Sequence, residues 1–275
     1  MNRDLEQTAL AARQNLFYSL GKLGSGHYGA CLSEIELLTY LYCEELRVDP
    51  ANPEKPDRDR FVLSKGHGGF GLYCVMAECG FLPRKRIAAF ENGVMLPKHA
   101  DKHRIPGVDV STGSLGQGLS VAVGMALYAK REQKTIRVYA VLGDGECNEG
   151  QIWEAAMSAS KYRLDNLIAA VDYNGLQFDG DVNEVMPLEP FADKWEAYGW
   201  HAIEVKDGHD FDQIRAAYQA AKEIRDKPVV IIARTVKGKG ISFMENETTW
   251  HGGSCTKEQL QQGYRDLGME EGWSA

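Results

Sequence analysis

Two oxygen-bearing side chains stand where the residue pattern puts the ends of adjacent strands. Asp144 follows the apolar run IRVYAVL within GDGE, and Asn174 follows LIAAV within DYNG, 30 positions later. A crossover of that length, with a helix between, brings both oxygens to one end of neighbouring parallel strands. A small, hard cation such as Mg²⁺ takes oxygen ligands in an octahedron, usually with only one or two protein side chains. Asp144, the Asn174 amide oxygen and the Leu176 backbone carbonyl supply three ligands; two oxygens of a diphosphate and one water supply the rest. Gly143 and Gly145 let the main chain approach that diphosphate without a Cβ in the way. A tight turn with Asp144 as a helix cap accounts for GDG alone, but GDGExxEG followed by DYNG at this spacing is far more specific.

The histidines are the second group whose placement suggests chemistry. His27, His67 and His251 adjoin glycine and His99 follows Pro97, so all four belong to loops, where core packing explains an imidazole poorly. Imidazoles titrate near neutrality and can donate to an alkoxide or accept from a hydroxyl. His67 lies in SKGHGGFG, directly after the run RFVLS. Gly66, Gly68 and Gly71 there fit GxGxxG, yet His67 interrupts the turn and no acidic residue ends the next strand at the distance a dinucleotide fingerprint needs. A glycine turn presenting an imidazole to an anion at a helix start accounts for the same residues. His99 and His103 have the i, i+4 spacing of a zinc pair, but no HExxH accompanies them and Pro97 and Pro106 enclose them. His103, His201 and His209 have no comparable support and read as surface or structural residues.

These groups need a scaffold. RFVLS, IRVYAVL, LIAAV, HAIEV and PVVIIAR are short, β-branched runs separated by helical segments. Continuous apolar strands alternating with helices predict an α/β fold, a doubly wound, mostly parallel sheet with helices on both faces. Ligands bind such sheets beyond the carboxyl ends of the strands, where the candidate residues lie. Helices are predicted from Leu5 to Leu20 and from Glu34 to Glu45. The 275 residues, 44% hydrophobic, suffice for one domain, 1–275, with an extended tail from about 235. A net charge of −8 argues against nucleic acid as the main partner. No apolar run approaches bilayer length, so no membrane partner is expected. An N-terminus without an apolar h-region, and six cysteines without CxxC, predict a reduced, cytoplasmic protein.

Taken together, SGHYGACLSEIELL, DRFVLSKGHG, LPKHAD, PGVDVSTGSLGQGLSVAVGMA, GDGECNEGQIWEA, DYNGLQFDG and the late WHG resemble the thiamine-diphosphate enzymes, and within them the transketolases. The resemblance covers nearly the whole chain but only the first half of a transketolase, the pyrophosphate-binding domain. It implies thiamine diphosphate as cofactor with Mg²⁺ or another divalent ion such as Mn²⁺ or Ca²⁺, held by Asp144, Asn174 and Leu176, with Gly145 against the diphosphate. Gly113, Ser114 and Leu115 resemble the loop at the aminopyrimidine side, and His67 the imidazole near the diphosphate and reactive centre. His27, His99 and His251 resemble the histidines around the ketose, His251 also reaching the cofactor. Together with His67 they form the implied catalytic set. Glu149 and Glu154 resemble acidic residues of the dimer interface, Glu149 also near the cofactor.

The sequence departs from the family pattern at Tyr28 and Ser114, where proline is frequent, and at Lys98, His99, Ala100 and Asp101, which replace Gly-His-Pro-Glu. These departures bear on the identity of the sugar, not on the cofactor. The glutamate that activates thiamine, its aromatic neighbours and most substrate arginines belong to the family's other half. The resemblance therefore implies the N-terminal subunit of a split transketolase that works on sugars or sugar phosphates, completed by a separately encoded C-terminal subunit, as a heterotetramer. Other readings are half of a deoxyxylulose-phosphate synthase or 2-oxoacid dehydrogenase, or a non-catalytic cofactor-binding module. Four loop histidines favour a polyhydroxylated ketose over an oxoacid.

Overall fold

The computed structural model describes residues 4–87 and 95–269. Each of the five apolar runs forms a strand: β1 (Arg60–Leu63), β2 (Val138–Gly143), β3 (Leu167–Tyr173), β4 (His201–Val205) and β5 (Val229–Arg234). They pair in parallel in the order β1-β2-β3-β5-β4. The helices are α1 (Leu5–Leu23), α2 (Tyr28–Ser33), α3 (Ile35–Tyr40), α4 (Gly69–Glu78), α5 (Gln117–Arg131), α6 (Gly150–Lys161), α7 (Val182–Val185), α8 (Phe191–Ala197), α9 (Phe211–Glu223) and α10 (Lys257–Asp266).

Strand side chains alternate between two cores. Tyr139, Val141, Ile168 and Ile231 face the layer that contains α1, α3, α4 and α9, whereas Ala140, Leu142, Ala169 and Ile232 face α5, α6 and α8. Both faces are covered, as an all-parallel sheet requires. Ala122, Ala126, Ala155, Ala156 and Ala159 line the buried sides of α5 and α6. Their small side chains let the two helices lie close on β2, so the crossover between β2 and β3 holds Gly143 in register with Asp172.

The predicted Glu34–Glu45 helix is broken in two places. Glu34, with φ −99° and ψ 0°, separates α2 from α3, and Leu41–Glu45 forms a π turn closed by the Leu46 amide donating to the Leu41 carbonyl at 2.8 Å. The first break turns Ser33 and Glu34 inward toward the strand tips. The second lets Glu45 accept from the hydroxyls of Tyr40 and Tyr139 and from Lys222. Beyond β5 the chain folds back, and α10 packs on α1 through the edge-to-face rings of Phe17 and Tyr264 and a Gln14 to Leu267 hydrogen bond. An antiparallel bridge between Gly26 and Gly253 ties this returning segment to the loop after α1. It brings His251 and His27 together.

Candidate functional site

The carboxyl ends of β1, β2 and β3 open into a cavity of about 160 Å³, lined by Lys65, His67, Asp144, Asn174, Lys237 and His251 among others. At its floor, Asp144 accepts hydrogen bonds from the Gly145 amide at 2.7 Å and the Gly175 amide at 2.5 Å, which locks the two predicted strand tips together. Burial, and then the neighbouring Asp172, push the Asp144 carboxyl up to about 6, against the pull of those two amides. The Asn174 side-chain oxygen accepts from the Leu176 amide, so the loop doubles back on itself. Gly143 borders the cavity, and nothing lies closer than 3.7 Å to where its Cβ would stand.

Beneath this floor lies a charged network for which the sequence gives no direct sign. The Lys65 ammonium is 2.5 Å from Asp172, 3.3 Å from Glu34 and 2.9 Å from the Ala30 carbonyl, with all three side chains enclosed. Asp172 also accepts from the hydroxyls of Ser33 and Thr235. Burial acts to raise Asp172, but Lys65 and these hydroxyls hold it below the ordinary carboxylate range. Among the described residues Glu34 has no hydrogen-bond partner at either oxygen, and burial pushes it up to about 8 in spite of the Lys65 charge. A second buried carboxylate, Glu146, accepts from the Ser64 hydroxyl and the amides of Gly116 and Gly143. It fastens the β1 tip and the 113–116 loop to the GDG turn.

The glycines around His67 serve close packing of three loops. A Cβ on Gly66 would lie 2.6 Å from the Gly113 amide nitrogen, and one on Gly69 2.6 Å from the Ala100 nitrogen. Backbone hydrogen bonds from Ala100 to Gly66 and from Thr112 to Ala100 bind the layers. The outcome is a cluster of four imidazoles: ring centroids lie 5.7 Å apart for His27 and His67, 5.5 Å for His27 and His99, 6.0 Å for His27 and His251, and 5.1 Å for His67 and His251. Burial is the chief cause that lowers His27 and His67 and takes His251 to about 4, with neighbouring imidazoles and lysines adding to it. All three rings are therefore neutral at pH 7 and able to give or take a proton. The His27 Nδ1 is buried and has no hydrogen-bond partner among the described residues.

Lys237 joins the histidines to the strand tips. Its Nζ donates to the carbonyls of Leu176 and Gln177 at 3.2 Å and lies 3.3 Å from His251 Nδ1. Burial brings this lysine down to about 8, partly offset by Asp144. Lys65 and Lys237 both follow a strand closely, and that position was their only signal in the sequence.

Of the remaining predicted residues, Leu115 lines the cavity, a Cβ on Gly113 would stand 3.0 Å from the His99 ring, and Ser114 is exposed. Glu149 and Glu154 lie outside the cavity, exposed at the start of α6. His99 and His103 occupy turns, not a helix, and among the described residues no three His, Cys, Asp or Glu side chains gather as a metal site. His209 is structural: its Nε2 accepts from the Val236 amide, so Nδ1 carries the proton toward Glu36 at 2.9 Å. Among the described residues no helix is long and apolar enough to cross a membrane.

The site fits a diphosphate held by a divalent cation. The Asp144 carboxylate, the Asn174 amide oxygen and the Leu176 carbonyl are all oxygen donors, the kind that a hard cation prefers. Lys237, among the described residues, is bound only by backbone carbonyls and an imidazole, which leaves its charge for an anion.

Residues 6–273 match the family described as transketolase, thiamine diphosphate binding domain. The chain is 46% identical to the 6-deoxy-6-sulfo-D-fructose transketolase subunit of Clostridium sp. (strain MSTE9), over 97% of both chains. It is 40% identical to an apulose-4-phosphate transketolase subunit of Phocaeicola vulgatus, over 96% of this chain and 93% of the relative. Among solved structures, transketolase from Leishmania mexicana superposes with a TM-score of 0.89 at 29% identity, over 98% of this chain and 42% of the other. The chain thus spans less than half of that transketolase, though nearly all of the two subunits. It belongs to the transketolase family, as that family's thiamine diphosphate binding domain.

Proposed function

We propose that this chain, as a single domain over 1–275, is the cofactor-binding subunit of a two-chain transketolase that moves a two-carbon ketol unit from a ketose to an aldose. The observation that carries this reading is the convergence of four loop imidazoles beside three strand-tip oxygens, joined through Lys237. The relatives named as subunits, matched over at least nine-tenths of their length, support the division into two chains.

When bound, thiamine diphosphate supplies the electron sink that lets a carbon–carbon bond beside a ketose carbonyl break and re-form. Asp144, Asn174 and the Leu176 carbonyl would hold its Mg²⁺ or a similar divalent ion, and Lys237 would set positive charge against the diphosphate. His67 and His251, neutral and half-buried, exchange protons with oxygen groups at the reacting carbons. His27 offers its unpartnered Nδ1 to a sugar hydroxyl, and His99 faces the same space from the opposite loop.

Glu149 and Glu154 fit an interface role. Val121 and Tyr128 on α5, Met157 on α6 and Tyr162 just after it are exposed apolar side chains, of the kind that a partner subunit covers. Assembly as a heterotetramer in the cytoplasm completes this reading. Mixing the chain with a partner of about 300 residues resembling the family's pyrimidine-binding half, plus cofactor and Mg²⁺, should yield ketol transfer that neither chain performs alone. Full turnover by this chain by itself would refute the two-chain assignment.

A further inference from the structure

A second lysine borders the histidine cluster, away from the strand tips. Lys98 precedes His99, and its half-buried ammonium donates to the Ser25 hydroxyl at 2.7 Å, two residues before His27. The two lysines act on different histidines. After burial, Lys237 is the main charge lowering His251, whereas Lys98 joins burial and His99 in lowering His27. Lys237 thus stands where the imidazoles meet the strand tips, and Lys98 beside His99, bound to the loop that carries His27.

Among the described residues Lys98 forms no ion pair, and its hydrogen-bond partner is a neutral hydroxyl. An ammonium drawn partly out of water is costly unless an anion compensates it. Ser25 lies at hydrogen-bond distance and can turn its own proton outward, so the pair offers two donors of different kinds side by side. An oxyanion uses both; a neutral sugar hydroxyl has no need of the charge. The chain carries a net charge of −8, so a negatively charged substrate needs a local cation of this sort on entry. Lys98 also falls within one of the departures from the family pattern.

We propose that Lys98 and Ser25 form a specificity site for a tetrahedral oxyanion, phosphate or sulfonate, on the sugar that enters the histidine cluster. This inference rests on the ketol-transfer reading and adds the residues of this chain that read the charge of the substrate. Charge-assisted hydrogen bonds to such a group change affinity by about tenfold or more.

The test uses the complex with its partner subunit, thiamine diphosphate and Mg²⁺. Fructose 6-phosphate, 6-deoxy-6-sulfofructose and uncharged fructose serve as donors for the wild type, Lys98→Met, Lys98→Arg and Ser25→Ala. Lys98→Met should lower the ratio of kcat/KM for charged over uncharged donor by about tenfold or more, mainly through KM, and Lys98→Arg should recover most of it. The charged donor with the larger loss identifies the oxyanion. Equal effects on charged and uncharged donors would overturn the site. If the wild-type complex turns over none of the three, the ketol-transfer reading fails, and calorimetric titration of the same sugars decides the anion site by itself. There, selective loss of charged-sugar affinity in Lys98→Met supports the site, and unchanged affinity rejects it.

Discussion

Asp172→Asn would strip the enclosed Lys65 ammonium of its closest counter-charge, and Glu34 decides how much stability is lost. In the native protein one ammonium faces two carboxyl groups, Asp172 at 2.5 Å and Glu34 at 3.3 Å. Asp172 is ionised, while burial pushes Glu34 up to about 8 and leaves it a neutral acid at pH 7. Charge therefore balances one to one. When Asp172 becomes an amide, Glu34 can ionise in its stead, and the remaining loss is that of weakened bonds from Ser33 and Thr235, about 1–2 kcal/mol. Glu34→Gln by itself exchanges one neutral group for another of the same size in the fold and removes the cost of keeping the carboxyl protonated at pH 7, so it should not destabilise. The double variant leaves the ammonium without a counter-charge, and breaking a buried pair in that way costs about 3–5 kcal/mol. The double loss should therefore exceed the sum of the single losses by about 2 kcal/mol. Urea unfolding of the four proteins at pH 7, followed by tryptophan fluorescence, measures this directly. Additivity within about 0.5 kcal/mol would refute the role of Glu34 as reserve counter-charge.

The same carboxyl predicts a pH dependence. Its value is raised from 4.5 in the unfolded chain to about 8 in the fold, so its contribution to stability is complete below about 4.5 and is lost as pH rises toward 8. Glu34→Gln should flatten the decline in stability across that window, and an unchanged slope in thermal melts would count against the assignment. Gly68→Ala should destabilise the fold by about 1–3 kcal/mol and weaken cofactor binding, since the new Cβ would stand 2.0 Å from Glu34 Oε1, within the turn that presents His67. A melting temperature equal to wild type would show that the turn yields without strain.

The strands were legible because four of the five are nearly continuous apolar runs; their order, with β5 between β3 and β4, was not. Asp144, Asn174 and the four clustered histidines were legible for a related reason: a polar group just past a buried strand, or beside glycine in a loop, lacks a packing explanation. The Lys65–Asp172–Glu34 network was not, because its members come from segments far apart in sequence. One signal was present. Asp172 belongs to a strand buried along its full length, and an enclosed carboxylate requires a partner. The break at Glu34 was hidden for the opposite reason, since the helical spacing of apolar residues continues through it, and only the inward turn of Ser33 and Glu34 toward Asp172 reveals what it serves.

The central claim is that the tips of β2 and β3 hold one divalent cation and, through it, thiamine diphosphate. Calorimetric titration of the cofactor with Mg²⁺ into the chain, its partner subunit present, tests this most directly with Asp144→Ala and Asn174→Ala. Each substitution should weaken uptake by about a hundredfold, since even residues one shell farther from a metal cost tenfold to a hundredfold. Wild-type affinity in both variants would contradict the account.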